Sequence, residues 1–268
     1  MADTDALRDP ALAGGRALVP EPPPPPVTPS PAEAPAGGEK VMSLVDHLSE
    51  LRSRLFKSLL AVAAGTVVGF YFSTAVRDFL ISPLPTKQVQ VLAPGDAFII
   101  TMKIAIVVGV ILAMPVILYQ GWAFISPGLT PDERRVVRPW VPLALLFFAI
   151  GVAIAYVVLP FATAFLLSFT DQTLVANIAA GPYFDFVTTL FLGFGLVMEF
   201  PIVLFGLSRV GIVTSARLKA ARRMIILGIA VFAAVITPGG DLVSPSVLGI
   251  TMYVLFEGTV FFIARSGR

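Results

Sequence analysis

The sequence lacks cysteine altogether and contains a single histidine, His47. The absence of cysteine excludes disulfides and thiolate-bound metals, and one histidine is too few for the usual zinc or haem ligand sets, so we expect no cofactor. Charged residues are also scarce, at 13% of the chain against about 25% in soluble domains. Hydrophobic residues make up 56% of the chain and the mean hydropathy is +0.87, which together indicate an integral membrane protein.

The first forty residues differ in composition from the rest of the chain. The segment "EPPPPPVTPSPAEAPAGGEK" (21–40) is rich in Pro, Ala and Gly and has too few apolar residues to form a core. No apolar run follows the start of the chain, which argues against a secretory signal peptide. We therefore predict a disordered cytoplasmic tail over residues 1–40, partly in polyproline II conformation, and a membrane domain over residues 41–268.

Long apolar runs follow this tail, and a membrane-spanning helix requires about 20 apolar residues, with roughly 17–25 as the usual range. Six runs are candidates, which predicts an all-α integral membrane protein with six transmembrane helices. The last two runs are short and require a locally thinned bilayer or protection by neighbouring helices. The predicted spans are Leu55–Val76, Phe98–Ile125, Trp140–Leu159, Phe184–Leu207, Met224–Ile236 and Val247–Ile263.

The positions of Lys and Arg predict the orientation of these spans, because basic residues accumulate on the cytoplasmic side. Of the 19 Lys and Arg residues, only Arg77 and Lys87 fall in the predicted outer loops, and Lys103 lies within the second span. The even number of spans agrees with this distribution. Both the N-terminus and the C-terminus are therefore predicted to be cytoplasmic.

The short charged segment "DHLSELRSR" (46–54) stands directly before the first span. Leucines recur around it at spacings of four, three and four, which predicts an amphipathic interfacial helix whose polar side faces cytoplasmic water or a cytoplasmic ligand. Two interpretations stay open here. Glu50 and Arg54 either form a local i,i+4 ion pair, contributing about 0.2–0.5 kcal/mol, or Glu50 is available to a cationic ligand. The leucines are Leu44, Leu48, Leu51 and Leu55.

A second acidic segment, "SPGLTPDERR" (126–135), is predicted on the same side of the membrane. Thr130, Pro131 and Glu133 fit a capping box with proline at the first helical position, so one interpretation of Glu133 is a helix cap. In the other, Glu50 and Glu133 are two carboxylates at one cytoplasmic face, kept ionised by the basic residues around them. Such a pair would accept a guanidinium group bidentately, in a geometry that lysine does not reproduce.

Ionisable residues also interrupt the apolar runs. Glu199 lies mid-span, where a charge costs at least about 2.5–3.5 kcal/mol, so we expect it to be neutral and hydrogen-bonded to another helix, or to face a polar groove as a docking or pathway residue. Pro201 is expected to loosen the helix beside it. Glu257, nearer the cytoplasmic end of the sixth span, is expected to pair with a basic residue of the inner loops. Lys103 is expected to extend toward the outer surface.

Five segments, in order and with compatible spacing, resemble the TatC family, the multispanning receptor subunit of the twin-arginine protein translocase. They are "HLSELRSRL" (47–55), "PVILYQGWAFISPGLTPDERR" (115–135), "MEFPIVLF" (198–205), "ITPGGD" (236–241) and "MYVLFEGTVFF" (252–262). The resemblance covers residues 42–265 and leaves out the proline-rich N-terminus. It implies a concave bundle of six helices in the bacterial cytoplasmic (inner) membrane, with both termini inside and short fifth and sixth spans.

The resemblance implies a cytoplasmic site for signal peptides that carry two consecutive arginines. The matching carboxylates are Glu50 and Glu133, which are expected to accept the guanidinium groups, while Arg52 and Phe124 fall on positions that the family uses in the same region. The implied partners are the twin-arginine signal peptides of folded precursor proteins, single-span subunits of the TatA and TatB type, and the lipid bilayer. Self-association is also expected.

The resemblance assigns further residues to partner contacts within the membrane and at its outer face. Glu199 matches the family's intramembrane glutamate, which faces a concave surface and partners a polar group of another Tat component or of the inserting substrate. Pro83 matches a proline of the first outer loop, and Asp241 matches the aspartate of the last one, with Thr237 assigned to the same corner. This corner departs from the family, because "TPGGD" is one residue longer than usual and Pro245 stands where a polar residue is common.

The predicted function is recognition of Arg-Arg signal peptides and assembly of single-span partners for export driven by the proton-motive force. The sequence has no nucleotide-binding motif, and neither enzymatic activity nor nucleic-acid binding is expected. A proton-coupled small-solute secondary transporter is the alternative, although transporters of that kind are built from two related halves and no internal repeat is visible. An intramembrane protease is less suited, since His47 lies outside the spans and Glu199 and Glu257 do not look level.

Overall fold

The structure is a computed structural model that describes residues 44–265, apart from residues 86, 129, 131–133, 136–138, 172, 174, 210 and 238–239. The predicted tail, residues 1–40, lies outside the described residues. Within them the secondary structure is α-helical, apart from a 3₁₀ turn at Ser126–Gly128 and a β-bridge between Gln90 and Ala179. The α-helices are α1 (Leu44–Tyr71), α2 (Ser73–Ile81), α3 (Asp96–Ile125), α4 (Trp140–Leu167), α5 (Ala180–Val197), α6 (Phe200–Arg209), α7 (Ser215–Ala220), α8 (Arg222–Ile236) and α9 (Val243–Arg265).

Five helical stretches are long and apolar enough to cross a membrane, and α8 supplies a sixth, shorter one. With 15 residues, α8 is about 22 Å long at 1.5 Å per residue, which is less than the roughly 30 Å of a bilayer core. The all-α fold with six spans and the short fifth span are thus confirmed. The long stretches are Asp46–Tyr71, Asp96–Gly128, Trp140–Leu167, Ala180–Arg209 and Val243–Arg265.

Three predicted boundaries require correction. The first span ends at Tyr71, and the chain continues as the separate helix α2 instead of running on to Val76. The third span continues through Pro160 to Leu167, because membrane helices accommodate proline through local adjustments such as hydroxyl-to-carbonyl hydrogen bonds. The sixth span is not short: α9 has 23 residues, since Pro245 lies in its first turn, where proline is tolerated.

The fourth span is broken at Glu199. Helix α5 ends at Val197 and α6 begins at Phe200, so the carboxylate stands in the interruption. Pro201 has no N–H to donate to the carbonyl of Val197. The amide of Glu199 donates to Leu196 O, three residues back, at 3.1 Å, so the regular i→i−4 pattern is interrupted here. The predicted loosening of the helix at this proline is confirmed.

Helices α1 and α5 occupy contrasting positions in the packing. Helix α1 lies at the periphery: 11% of its most apolar stretch is buried inside the protein. The corresponding share for the span Ala180–Arg209 is 56%. The contact of α1 with α3 depends on close approach at glycines: a Cβ atom at Gly109 would lie 2.4 Å from Thr66 Oγ1, and one at Gly65 would lie 2.7 Å from Gly109 O. Helix α5 instead fills the core with large side chains, including the fully buried Phe184 and Phe194.

Contacts between helices define two ends of the bundle. Arg54 hydrogen-bonds to Gln120, which joins the start of α1 to the end of α3, and Trp140 at the start of α4 stacks on Phe205 of α6 at 3.8 Å. We call this the Glu50 end. At the opposite end, Gln90 and Ala179 form the β-bridge between the segments before α3 and α5.

Candidate functional site

The first candidate group is the carboxylate of Glu50 on α1. Arg54, one turn further along the same helix, donates to Glu50 Oε1 from Nε at 2.9 Å and from Nη2 at 2.5 Å. Both side chains are largely covered, with 17% of Glu50 and 23% of Arg54 exposed. Oε2 of Glu50 is buried and has no hydrogen-bond partner among the residues that the structure describes. The local ion pair suggested by the sequence is therefore present, and it leaves half of the carboxylate unpaired.

Helix α3 forms the other wall of this site. Arg54 Nη1 donates to Gln120 Oε1 at 3.3 Å, and the ring of His47 stacks on Phe124 with centroids 4.4 Å apart. Glu50 and Arg54 therefore lie against α3. The rest of the polar side, including Ser49 and Ser53, is exposed, as an amphipathic interfacial helix requires. Its apolar stripe is turned away from the protein, with 65% of Leu48 exposed, because lipid tails are as suitable a surrounding for leucine as a protein core.

Glu133, the second predicted guanidinium acceptor, lies outside the described residues, as does Pro131 of the predicted capping box. Beside them the amide of Arg134 donates to Thr130 O at 2.9 Å, and its Nη2 donates to Ser126 O at 2.9 Å. Arg52 is exposed on the surface of α1. The pairing of Glu50 with Glu133 therefore stays a prediction.

Glu199 lines a groove between the fourth, fifth and sixth spans. The groove has a volume of about 640 Å³, and the other side chains around it, from α5, α6, α8 and α9, are apolar. Glu199 is half-buried, and its Oε1 is buried without a hydrogen-bond partner within the described ranges. The predicted concave surface is thus apolar rather than polar. The alternative in which Glu199 joins two helices through a hydrogen bond is not observed in this part of the chain.

Asp241 and Thr237 lie together at the turn between α8 and α9, at the opposite end of the bundle. Both are buried, with 5% and 7% of their surface exposed. Asp241 Oδ1 accepts the amide of Ser244 at 2.5 Å, while Oδ2 has no partner among the described residues. The hydroxyl of Thr237 donates to Ala233 O at 2.6 Å. Pro83 is half-buried in the segment after α2. Asp241 thus orders the start of α9, and its second carboxyl oxygen has no hydrogen-bond partner among the described residues.

Two ion pairs join helices within the bundle. Arg222 Nη2, at the start of α8, donates to Glu257 Oε2 at 2.6 Å, which confirms the predicted pairing of Glu257 with a basic residue of the inner loops. Lys103 forms an ion pair with Asp185 of α5. This pair gives Lys103 a carboxylate partner on the neighbouring helix, and its predicted extension toward the outer surface stays a prediction.

Three residues that shape these sites were not predicted from the sequence. Gln120 and His47 build the wall around Glu50, and Asp185 pairs with Lys103. Gln120 and Asp185 are polar residues inside apolar runs, a signal that was visible in the sequence. His47 belongs to the charged segment at 46–54, but its stacking on Phe124 depends on the packing of α1 against α3.

The site chemistry is that of hydrogen-bonding and charge recognition. Glu50 offers a buried carboxylate oxygen beside an aromatic wall, and Glu199 offers another in an apolar groove. Within the described ranges, no group of three or more His, Asp and Glu residues is placed to hold a metal ion. The structure brings Glu50 and Phe124 to one site and Asp241 and Thr237 to another, with Glu199 in a third.

Comparisons with known proteins bear on this arrangement. The sequence profile of the family described as "Sec-independent protein translocase protein (TatC)" matches residues 46–250. The Sec-independent protein translocase protein TatC of Azotobacter chroococcum mcd 1 is 40% identical over 230 residues, covering 84% of this chain and 90% of that protein. The chloroplastic TATC of Arabidopsis thaliana is 36% identical over 233 residues, covering 86% and 68% respectively.

The fold leads to the same family. A solved structure described as the twin-arginine translocase receptor TatC superimposes with a TM-score of 0.72 at 35% identity, covering 83% of this chain and 100% of that one. A second structure of that receptor, in the detergent DDM, superimposes with a TM-score of 0.72 at 36% identity, covering 81% and 99%. The resemblance read from the five sequence segments is thereby confirmed: this chain belongs to the TatC family of Sec-independent protein translocase proteins.

Proposed function

We propose that this chain is the receptor subunit of a twin-arginine protein translocase, and that Glu50 binds a guanidinium group of the Arg-Arg signal peptide on folded precursor proteins. The observation that carries the proposal is Oε2 of Glu50, which is buried and has no hydrogen-bond partner among the described residues, beside the Arg54 guanidinium on Oε1. A buried carboxylate oxygen without a partner costs free energy, which a ligand donating to it recovers. Family membership and the solved receptor structures support the same role.

The chemistry of the site favours arginine over lysine in the ligand. Arg54 already demonstrates that a guanidinium fits against this carboxylate, with two N–H groups directed at one oxygen. An incoming guanidinium has five N–H donors in a planar fork, so it can donate to Oε2 and still reach a second acceptor. Glu133 is the second acceptor that we assign, and Arg52 and Phe124 contribute to the surface on which the peptide lies.

The partner sites that we propose lie away from Glu50. The apolar groove at Glu199 suits a single membrane-spanning helix of a TatA- or TatB-type subunit. The groove has a volume of about 640 Å³ and an apolar lining, and it contains one carboxyl oxygen without a hydrogen-bond partner among the described residues. A polar group on that helix would hydrogen-bond to Glu199. Asp241, Thr237 and Pro83 would contact partners at the opposite end, and self-association of the receptor would bring several such sites into one assembly.

The location follows from the same proposal. The chain would lie in the bacterial cytoplasmic (inner) membrane with the Glu50 end in the cytoplasm, where precursors are synthesised and where most Lys and Arg residues are predicted. The proton-motive force would supply the energy, with the electrical part equal to about 2.3 kcal/mol per charge per 100 mV. The role is one of binding and assembly, and it requires no catalytic residue or cofactor in this chain.

The decisive experiment is photo-crosslinking of the membrane-embedded chain to a signal peptide that carries either Arg-Arg or Lys-Lys next to the photoreactive residue. The Arg-Arg peptide is expected to label the unaltered chain strongly and the Lys-Lys peptide weakly. Glu50→Ala and Glu133→Ala should each reduce the labelling, whereas Asp46→Ala, an equal charge change on the same helix, should not. Equal labelling by both peptides would contradict the assigned recognition.

The small-solute transporter is tested in the same preparation. Vesicles that contain this chain alone should accumulate no solute when a proton gradient is imposed, if the receptor role is right. Gradient-dependent uptake that is lost in Glu199→Gln would favour the transporter instead.

A further inference from the structure

A pocket at the end of the bundle opposite Glu50 combines positive charge with an apolar wall. It has a volume of about 350 Å³ and lies where α2 and the segment after it meet the first turns of α3 and α5. Two basic side chains, Arg77 and Lys87, line it. Its apolar lining includes Ile81, Ile100 and Phe184.

The two cations are unusual for their position in the chain. Arg77 and Lys87 are the only basic residues in the segments that the Lys and Arg distribution assigns to the outer side. The statistical tendency of membrane proteins is to place few cations there. The folding of the chain nevertheless brings both of them, ten positions apart in sequence, to one pocket.

Helix termini add to the positive potential. Ala97 in the first turn of α3 and Ala180, the first residue of α5, both line the pocket. The N-terminus of a helix carries the equivalent of about half a positive charge, and its first N–H groups are free of intrahelical acceptors. The amide of Ala180 donates to Gln90 O at 2.8 Å, and the amides of Asp96 and Phe98 donate to Ala93 O and Gly95 O at 3.0 and 3.1 Å. The main contribution of both helices is therefore the dipole.

Nearby acidic groups only partly offset these charges. Asp78 lies 3.6 Å from Arg77 Nε and is mostly exposed, which is a weak contact. Asp96 is occupied by the amides of Leu92 and Ala93, which donate to its Oδ2 at 3.2 and 2.9 Å. Among the described residues, the ammonium group of Lys87 has no carboxylate within ion-pair distance.

The backbone at Lys87 carries a further mark. Its φ of 50° is the one positive value recorded for a non-glycine residue in the described ranges. A conformation of this kind costs on the order of 1–3 kcal/mol, and strained residues cluster at active sites, ligand sites and switch regions. Glycine or asparagine would adopt it more readily, so lysine at this position agrees with a role for its charge.

We propose that this pocket binds the phosphate headgroup of an anionic phospholipid from the membrane leaflet at that end of the bundle. Arg77, Lys87 and the N-terminal turn of α3 would hold the phosphate, and Ile81, Ile100 and Phe184 would pack against the glycerol and the first methylenes of the acyl chains. A lipid is the occupant that matches both parts of the lining, since a soluble anion has no use for the apolar wall. The proposal does not depend on how the signal peptide is recognised.

The test uses the full chain in lipid nanodiscs that contain phosphatidylglycerol with a photoreactive group near its headgroup. Labelling of peptides from residues 77–100 and 180–184, mapped by mass spectrometry, is expected. Arg77→Gln and Lys87→Asn should each lower this labelling roughly fivefold, and the double variant more, from the contribution of each cation near an anionic lipid. Asparagine is chosen at 87 because it tolerates the positive φ.

The matched control is the double variant Lys219→Gln and Arg223→Gln, which removes two exposed cations at the Glu50 end. It should leave the labelling of 77–100 unchanged. Thermal unfolding of each variant establishes that the fold is intact. Equal labelling by a zwitterionic phosphatidylcholine probe, or no response to the Arg77 and Lys87 variants, would overturn the proposal. Loss of labelling on addition of millimolar inorganic phosphate would also overturn it, because the site would then be one for a soluble anion.

Discussion

Glu50 and Glu199 each keep one buried carboxyl oxygen without a hydrogen-bond partner in the described part of the chain, but their surroundings are opposite. Glu50 shares its other oxygen with Arg54 and stands beside the amide of Gln120. Glu199 lines an apolar groove in which no cation is found among the lining residues. One carboxylate is set in a polar network at the end of the bundle, and the other in an apolar groove.

The difference in surroundings determines which ligands each carboxylate can bind. The carboxylate of Glu50, set in a polar network, can accept a charge-assisted hydrogen bond from a guanidinium, for which the ligand competes with Arg54. In the apolar groove a cation would lose its hydration and gain little compensation, so the favoured ligand is an apolar surface with one polar group. Under the proposed function, the two sites would separate signal recognition from partner docking by their chemistry as well as by their position.

The supports of the two sites differ as well. Glu50 is carried by the peripheral helix α1, which is held to α3 by the close approach at Gly65 and Gly109. Glu199 lies in the most buried of the long spans, at the point where Pro201 interrupts the regular helix. The position of Glu50 therefore depends on one helix pair, whereas the groove at Glu199 is shaped by four helices at once.

The largest expected effect separates the two carboxylates directly. Glu50→Gln should weaken binding of an Arg-Arg signal peptide by about 10- to 100-fold, because hydrogen bonds to charged groups contribute roughly 1.5–3 kcal/mol. Glu199→Gln should leave this affinity unchanged, since its groove is not part of the peptide site. Fluorescence anisotropy with a labelled peptide and the purified chain measures both. Similar losses in the two variants would show that the sites do not act separately.

A second substitution should weaken the packing that holds Glu50 in place while leaving the groove at Glu199 intact. A methyl group at Gly109 would lie 2.6 Å from the backbone nitrogen of Thr66, so Gly109→Ala should force α1 away from α3 and lower the free energy of unfolding by about 1–3 kcal/mol. Signal-peptide affinity should fall with it. Gly121→Ala on the same helix is the control, because nothing lies within 4 Å of its added Cβ. Thermal unfolding in detergent gives the comparison, and equal behaviour of the two variants would refute the close-packing account.

Features that depend on local properties of the chain could be predicted from the sequence at both sites. The length and apolarity of the runs predicted six spans, and Pro201 predicted the break at Glu199, because both depend on local properties of the chain. The amphipathic stripe at Leu48 was also recognised, and its leucines Leu48, Leu51 and Leu55 are exposed, as expected of an interfacial helix. A soluble helix has only the protein to receive its leucines, whereas a membrane helix has lipid as an equal choice.

Contacts between different helices could not be predicted from the sequence. Gln120 and Asp185 were visible as polar residues in apolar runs, but their partners Arg54 and Lys103 lie on other helices. Sequence spacing predicts which residues share one helix face, so the i,i+4 pair of Glu50 and Arg54 was within reach. The rotation and register of one helix against another depend on packing, and so the polar wall formed by α3 was not.

A third, smaller effect tests whether Arg54 competes with the ligand for Glu50. Arg54→Gln should raise signal-peptide affinity by up to about fivefold, because an ion pair of this type contributes roughly 0.2–1 kcal/mol that the ligand must offset. Lys57→Gln, the same charge change on an exposed residue of α1, serves as the control. The anisotropy assay applies again. A lower affinity in Arg54→Gln would indicate instead that Arg54 positions the carboxylate.

The smallest predicted effect concerns the ion pair of Lys103 and Asp185, which ties α3 to α5 and so connects the support of Glu50 to the core that shapes the Glu199 groove. With 38% of Lys103 and 56% of Asp185 exposed, a double-mutant cycle of Lys103→Met and Asp185→Asn in detergent should give a coupling below about 1 kcal/mol. In nanodiscs the coupling should be larger, since Lys103 lies about 10 Å along α3 from its start, where lipid replaces water around the exposed atoms. Thermal unfolding of the four proteins in both media measures it. Zero coupling in nanodiscs would mean that apolar packing alone joins the two regions, and that the separation between a polar rim and an apolar groove needs no ionic link between them.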